Sequence, residues 1–241
     1  MSLTMHTAAE RPDLWDRGIE SATVWPEYNL HGDVLNRWWG HLEEELADYQ
    51  FVLYDDATDE VVAEGHTGPF RWDGHPYSLP LGIDAVLELI FTQHRAGETP
   101  NTLCALAAET PRQNQASGMA SQLLTAMRTI GTRQRLTHFV APVRPSLKER
   151  YPLTRIERYV TWRREDHQLF DPWMRVHERL GARLGPPCRS RCSSPEPSKT
   201  GRPGRPWPSR SRVNTRSPKD WPPLRSTARP TAELTGSPTC G

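Results

Sequence analysis

The 241-residue sequence predicts an α/β protein built on a mixed sheet, and two patterns carry this prediction. β-prone runs at residues 50–54 and 60–64 flank five mostly polar residues, which is the pattern of an antiparallel hairpin. Small and apolar runs at residues 102–108 and 136–141, the second expected to be as buried as the first, flank an amphipathic segment of helical period. Such a crossover is right-handed and makes its two strands parallel. A sheet that contains both kinds of pairing is mixed.

Helices are expected on either side of these strands. Apolar residues at helical spacing follow Asp33, a favourable N-cap, and predict a helix over residues 33–47. The same reasoning predicts helices over residues 83–94, 118–132 and 172–180. In the last of these, Asp171 supplies the N-cap, Pro172 is a favoured first residue, and Gly181 can close the helix.

The chain divides into two segments of unlike composition near Gly185. Residues 1–185 carry 26 acidic and 19 basic residues, with apolar residues throughout, whereas residues 186–241 carry 11 basic and 3 acidic residues and 12 of the 23 prolines. The second segment has too little apolar surface to offset the entropy of ordering its backbone. The sequence therefore predicts a domain over residues 24–185, an N-terminal extension over residues 1–23, and a disordered tail.

Several functional classes are disfavoured by what the sequence lacks. No apolar run approaches the ~20 residues that span a bilayer, and the polar N-terminus has no apolar stretch of the signal-peptide kind. We therefore expect a cytoplasmic protein with no membrane partner. Cys188 and Cys192 stand in a tail without histidine, which is too poor in ligands for a zinc site, so no metal is expected.

A short motif between the strand at residues 102–108 and the following helix points to an anionic ligand. The motif has the form Q-x-x-G-x-A and consists of Gln115, Ala116, Ser117, Gly118, Met119 and Ala120. A helix N-terminus has unpaired N–H groups and the positive end of the helix dipole, so it can hold a pyrophosphate. Gly118 would let such a ligand approach the backbone closely.

On this motif and its setting, the chain resembles the superfamily of GCN-five-related N-acetyltransferases, over roughly residues 24–183. In that family the strand, loop and helix bind acyl-CoA, and a later helix that ends in Leu-Gly, here within residues 170–183, packs beside the thioester. The run at residues 141–148 is also similar to bacterial members. The resemblance implies acetyl-CoA as co-substrate and direct attack on its thioester by an amine of a small molecule or protein. It is also compatible with a homodimer.

The resemblance implies two catalytic residues, each with a plainer alternative. Glu109, at the end of the predicted strand, stands where family members often place the base that takes the amine proton; the alternative is a solvated carboxylate at a strand end. His177, four residues before Gly181, stands where a tyrosine commonly protonates the leaving thiolate. The alternative for His177 is a partly buried histidine on a packing face.

The tail has the composition of a GC-rich gene read out of frame. Codon degeneracy permits a reading of the codons from Arg205 onward, shifted by one base, that is more apolar and strand-like and resembles the C-terminus of bacterial family members. We therefore expect a frameshift, with the last two strands of the fold missing after about Arg183 and with activity impaired.

Two other functions remain open at the level of sequence. One is a protein that binds acyl-CoA without catalysis, in which Glu109 and His177 are only structural. The other is a nucleic-acid-associated protein that uses the tail, with its net charge of +8, as a polyelectrolyte arm. Nucleic acid is the less expected partner, since the tryptophans are not interleaved with a basic stripe.

Overall fold

Five strands form one sheet whose spatial order follows the chain. The computed structural model describes residues 3–19, 33–111 and 118–187. The strands are β1 Leu3–Thr7, β2 Gln50–Asp55, β3 Glu60–Phe70, β4 Thr102–Glu109 and β5 His138–Val140. Neighbours from β1 to β4 are antiparallel, and β4 and β5 are parallel. The prediction of a mixed sheet with this parallel pair is confirmed.

Helices cover both faces of the sheet. They are α1 Pro12–Arg17, α2 Asp33–Trp38, α3 His41–Leu46, α4 Ile83–Arg95, α5 Met119–Arg133, α6 Ile156–Tyr159 and α7 Pro172–Arg179, with short 3-10 turns at Ala47–Tyr49, Pro76–Ser78 and Lys148–Arg150. In the ranges that the structure describes, no helix is long and apolar enough to cross a bilayer. The predicted helices before and after β4 are confirmed, and α5 is the expected crossover from β4 to β5.

The core has one apolar cluster on each side of β4. Alternate residues of the strand serve the two sides: Leu103 packs with the α5 side chains Leu123, Met127 and Ile130, whereas Cys104 packs with α4 on the opposite face. Full burial of one such aliphatic side chain stabilises the fold by about 1.5–3 kcal/mol. Because successive side chains of β4 point to opposite faces of the sheet, this one strand packs against helices on both sides.

The N-terminal segment belongs to the sheet, which differs from the boundary expected at residue 24. Strand β1 pairs in full register with β2, from Leu3 opposite Asp55 to Thr7 opposite Phe51. Leu14 of α1 is completely buried. The polar appearance of residues 3–7 hid the strand, because only one of its five side chains is buried.

Strand β3 is much longer than the predicted run at residues 60–64. The strand continues through Gly65 and Gly68, where a Cβ would lie 2.2 Å from the Phe51 ring and 2.5 Å from Ile90, respectively. Both glycines are therefore places where a neighbouring side chain packs directly on the strand backbone. Tertiary packing decided the length of β3.

Two other elements differ from expectation. The helix predicted over residues 33–47 is split into α2 and α3 at Trp39 and Gly40, and glycine is a poor helix former. The strand predicted as buried at residues 136–141 is reduced to β5, in which Phe139 is 37% exposed. Strand β5 is exposed because it forms the last strand of the sheet in the described residues, and Pro142 follows it closely.

Candidate functional site

A bulge near the end of β4 decides which side chains meet. Gly68 of β3 pairs with Cys104, but His66, two residues earlier, pairs with Ala107, so Leu106 is the extra residue. Regular alternation along β4 would place the side chains of Cys104 and Glu109 on opposite faces of the sheet. The bulge shifts the alternation and brings Glu109 to the face that carries Glu64 and His66.

Two carboxylates and an imidazole form a buried cluster on that face. Glu64 and Glu109 are directly opposite each other in the β3–β4 register. The Nε2 atom of His66 lies 3.0 Å from Glu64 Oε1 and 3.6 Å from Glu109 Oε1. Side-chain exposures are 13% for Glu64, 7% for His66 and 2% for Glu109. Two like charges opposite each other destabilise a sheet, and the N–H of His66 between them relieves that repulsion.

The burial of Glu109 excludes the solvated carboxylate that the sequence left open. Glu109 is only 2% exposed, at the end of β4. A buried carboxylate is costly unless polar partners surround it, and such groups concentrate at functional sites. The base role of Glu109 stays a prediction, now with His66 as a neighbour that the sequence analysis did not identify.

Aromatic rings enclose the imidazole and line a cleft that leads to it. The rings of Trp15 and Trp39 lie 5.4 Å and 4.8 Å from the His66 ring, centroid to centroid. These two tryptophans, with Gly40, Leu42, Glu43, Glu64 and His66, line a cleft of about 240 Å³. Indole faces and carboxylates together favour a cationic guest.

Hydrogen bonds of one buried side chain hold α3 in place beside this cleft. The Nε2 atom of Gln50 donates to the carbonyl of Leu46, at 3.0 Å, and to that of Thr67, at 2.9 Å. The first anchors the end of α3 and the second anchors β3 next to His66. The break at Gly40 and this anchor together place Trp39 and Glu43 over the cluster.

The N-terminus of α5 is open to an anionic ligand. Gly118 has a left-handed backbone, with φ +83° and ψ 2°, and among the described residues no atom beyond its chain neighbours and the backbone of α5 lies within 4 Å of where its Cβ would stand. The N–H groups of the first turn, at Met119 and Ala120, have no intrahelical carbonyl to bond. The predicted binding residues Gln115, Ala116 and Ser117 lie outside the described residues. The described part of the motif fits a pyrophosphate.

The pairing of strands β4 and β5 ends well before β4 does. Their parallel ladder runs only from Thr102 opposite His138 to Cys104 opposite Val140. In the described ranges the rest of β4 has no strand partner on the β5 side, while its other edge pairs with β3. The backbone edge of β4 from Ala105 to Glu109 is therefore without a strand partner on that side.

His177 is a packing residue in this structure, and its geometry limits an acid role. It is 9% exposed, and its Nδ1 lies 3.0 Å from the Trp173 carbonyl, which can only accept. Nδ1 therefore carries the proton of the neutral ring, which leaves Nε2 without one to donate. Burial lowers the pKa of His177, and the hydrogen bond to Trp173 opposes that shift only in part. The acid role predicted for His177 would need a second proton that burial disfavours.

Metal binding has no support in the described parts of the chain, where no three His, Cys, Asp or Glu side chains are grouped to hold an ion. Cys188, Cys192 and the tail lie outside those parts. Cys104 is a free thiol inside the sheet, and burial raises its pKa to about 12, which makes it an inert packing residue.

The sequence analysis missed Glu64 and His66 as site residues. Their one sequence signal was the alternation of Glu64, Gly65 and His66, which places two ionisable side chains on one face of a strand. That signal has no meaning until the strand is known to continue through Gly65.

Comparison with known proteins gives one curated relative and a shared fold. No protein-family model matches the chain. The arginine N-acetyltransferase avaD of Aspergillus versicolor is 26% identical over 200 residues, which covers 75% of this chain and 68% of that protein. The loading GNATL domain of CurA from Lyngbya majuscula superposes with a TM-score of 0.55 at 18% identity, covering 76% of this chain and 86% of the domain. The chain therefore shares its fold with the GNATL domain and is similar in sequence to an arginine N-acetyltransferase, and its mixed sheet and the motif that opens α5 agree with the resemblance to GCN-five-related N-acetyltransferases.

Proposed function

We propose that the protein transfers an acetyl group from acetyl-CoA to an amine, by direct attack of the amine on the thioester. The observation that carries this proposal is the position of the Glu64–His66–Glu109 cluster. It lies at the end of β4, whose edge has no strand partner on the β5 side in the described residues, and it borders the cleft walled by Trp15 and Trp39. A co-substrate along that edge and an acceptor in the cleft would meet beside groups that can take a proton.

The α5 terminus and the unpaired edge of β4 are the parts that would hold acetyl-CoA. The first-turn N–H groups and the dipole of α5 would bind its pyrophosphate, with Gly118 allowing close approach. The unpaired edge of β4 would line the extended arm that carries the thioester. When bound, acetyl-CoA supplies an activated acyl carbon with a thiolate as leaving group.

The acceptor proposed first is arginine or a similar cation. The relative in Aspergillus versicolor is named an arginine N-acetyltransferase, and the cleft has the matching chemistry. Flat indole rings of Trp15 and Trp39 suit a guanidinium plane, and the carboxylates of Glu43 and Glu64 suit its charge.

Two measurements test this function. Isothermal titration with acetyl-CoA should show binding, and thiol release should appear with arginine as acceptor. Citrulline is the matched control, because it has the shape and the α-amine of arginine but an uncharged side chain. We expect KM for arginine to be at least about tenfold lower than KM for citrulline, a difference of ~1.4 kcal/mol. Binding of acetyl-CoA without thiol release from any amine would favour the non-catalytic alternative.

Four further proposals concern the protein as a whole. We propose a cytoplasmic location, a bacterial source and a homodimer, and we propose that the tail, which lies outside the described residues, is encoded out of frame. The exposed last strand β5 supports the frameshift, because a further hairpin would cover Phe139. Sequencing the gene through the codons for residues 184–192 tests the frameshift, and sedimentation tests a homodimer.

A further inference from the structure

The two nitrogens of His66 are in unlike surroundings. Nε2 faces carboxylate oxygens of Glu64 and Glu109, at 3.0 and 3.6 Å. A carboxylate accepts hydrogen bonds and cannot donate while ionised, so Nε2 carries the ring proton. In the neutral ring, Nδ1 then has a free lone pair and acts only as an acceptor.

That lone pair is buried and unused within the described residues. Nδ1 of His66 has no hydrogen-bond partner there, although the side chain is only 7% exposed. A buried polar atom left without a partner is costly, and native proteins keep few such atoms. His66 lines the cleft proposed for the acceptor. An N–H donor in that cleft would satisfy the atom.

We propose that His66 is the general base of the reaction and that Nδ1 receives the proton of the acceptor amine. This inference rests on the proposed function and deepens it. Glu64 and Glu109 then act through His66: they fix the tautomer that leaves Nδ1 free, and they stabilise the imidazolium that forms. The arrangement follows the general logic of a base oriented by a carboxylate. Glu109, which the sequence suggested as the base, becomes a positioning residue.

Acetyl transfer moves one proton from the amine nitrogen to His66 and one electron pair onto sulfur. The amine lone pair forms the C–N bond, and the C–S bond breaks with its electron pair on sulfur. The proton that nitrogen loses goes to Nδ1 of His66, whose ring becomes an imidazolium between two carboxylates. The imidazolium returns that proton to solvent, and the thiolate takes a proton from solvent. Each cycle therefore restores the neutral ring.

The test compares His66→Gln with Glu109→Gln and a control, His94→Gln, which changes an exposed histidine in the last turn of α4. For His66→Gln we expect kcat to fall by about 10²–10⁴-fold, the usual worth of a general base. We expect its acetyl-CoA affinity to stay within about twofold and the acidic limb of the pH–rate profile to vanish. His94→Gln should match the wild type.

Glu109→Gln gives a readout that does not depend on replacing His66. Loss of one carboxylate makes the imidazolium less stable, so the acidic limb should persist and move to lower pH. Glu64→Gln should move it the same way, and Glu43, at the cleft wall, is the other acidic group to check. An acidic limb that vanishes in Glu109→Gln and persists in His66→Gln would overturn the proposal and make Glu109 the base.

A chemical-rescue experiment provides a second test of the role of His66. His66→Ala leaves space for a ring, and added imidazole should restore thiol release in proportion to its concentration. Absence of rescue in a folded variant that still binds acetyl-CoA would contradict a base role. Failure of the proposed function looks different, since the wild type would then release no thiol with any amine, and both proposals would fall together.

Discussion

Buried polar groups around α7 and in the β3–β4 cluster differ in how completely they are hydrogen-bonded. Both Asp171 oxygens accept hydrogen bonds: Oδ1 from the backbone N–H of Trp173 and Met174 and from Ser146, and Oδ2 from the N–H of Leu147 and the hydroxyl of Tyr159. In the cluster, by contrast, Nδ1 of His66 has no partner among the described residues.

The difference distinguishes a structural site from the candidate functional site. Asp171 caps α7 and ties the preceding loop to this helix. Burial raises the pKa of Tyr159, and the hydrogen bond to Asp171 raises it further. His177 in the same helix also has its Nδ1 occupied. A buried polar group whose hydrogen bonds are all made within the protein contributes to stability. A buried polar group that lacks a hydrogen-bond partner and lies beside a cleft is available to a ligand.

The largest expected effect is a loss of stability at Asp171. Asp171→Ala should lower the free energy of unfolding by about 3–5 kcal/mol, because several buried donors lose their acceptor together. Urea denaturation followed by fluorescence measures the change. The matched control is Asp166→Ala, whose carboxylate is exposed, and it should cost less than about 1 kcal/mol. Equal stability of the two variants would mean that Asp171 is not the anchor of α7.

A smaller effect is expected at the α5 terminus. Gly118→Asp should weaken acetyl-CoA binding by at least about tenfold, or ~1.4 kcal/mol, because a carboxylate repels the pyrophosphate where the helix terminus attracts it. Gly118→Asn is the matched control. It has nearly the same shape and the same tolerance for the left-handed backbone, which φ of +83° requires, but no charge. Titration that gives both variants the same affinity would argue against a pyrophosphate at this terminus.

The smallest expected effect concerns His177. With the folded-state pKa below the unfolded value of about 6.5, the unfolded state binds more protons as pH falls. Stability from this residue is therefore present above the unfolded pKa and is lost below it. His177→Gln should flatten the decline of unfolding free energy between about pH 7.5 and 5.5, and it should change kcat by less than about threefold. A tenfold loss of kcat with a changed alkaline limb would restore the acid role.

Local sequence patterns were sufficient for some elements and not for others. The N-cap Asp171, the helical spacing after Gly118 and the apolar run of β4 each describe interactions within a few residues, so they predicted α7, α5 and β4 nearly to the residue. The length of β3 and the strand at Leu3–Thr7 depend on partners far along the chain. No local pattern reports such partners.

The sequence alone determined the class of fold, the crossover from β4 through α5 to β5, and the glycine that opens α5, because hydrophobic period and backbone preference are local properties. Tertiary structure decided the candidate site. One extra residue at Leu106 turns Glu109 to the face of Glu64 and His66, and packing of Phe51 on Gly65 lets β3 run straight through that point. Register and close packing join residues about 45 positions apart, and they arise only when the strands are in contact.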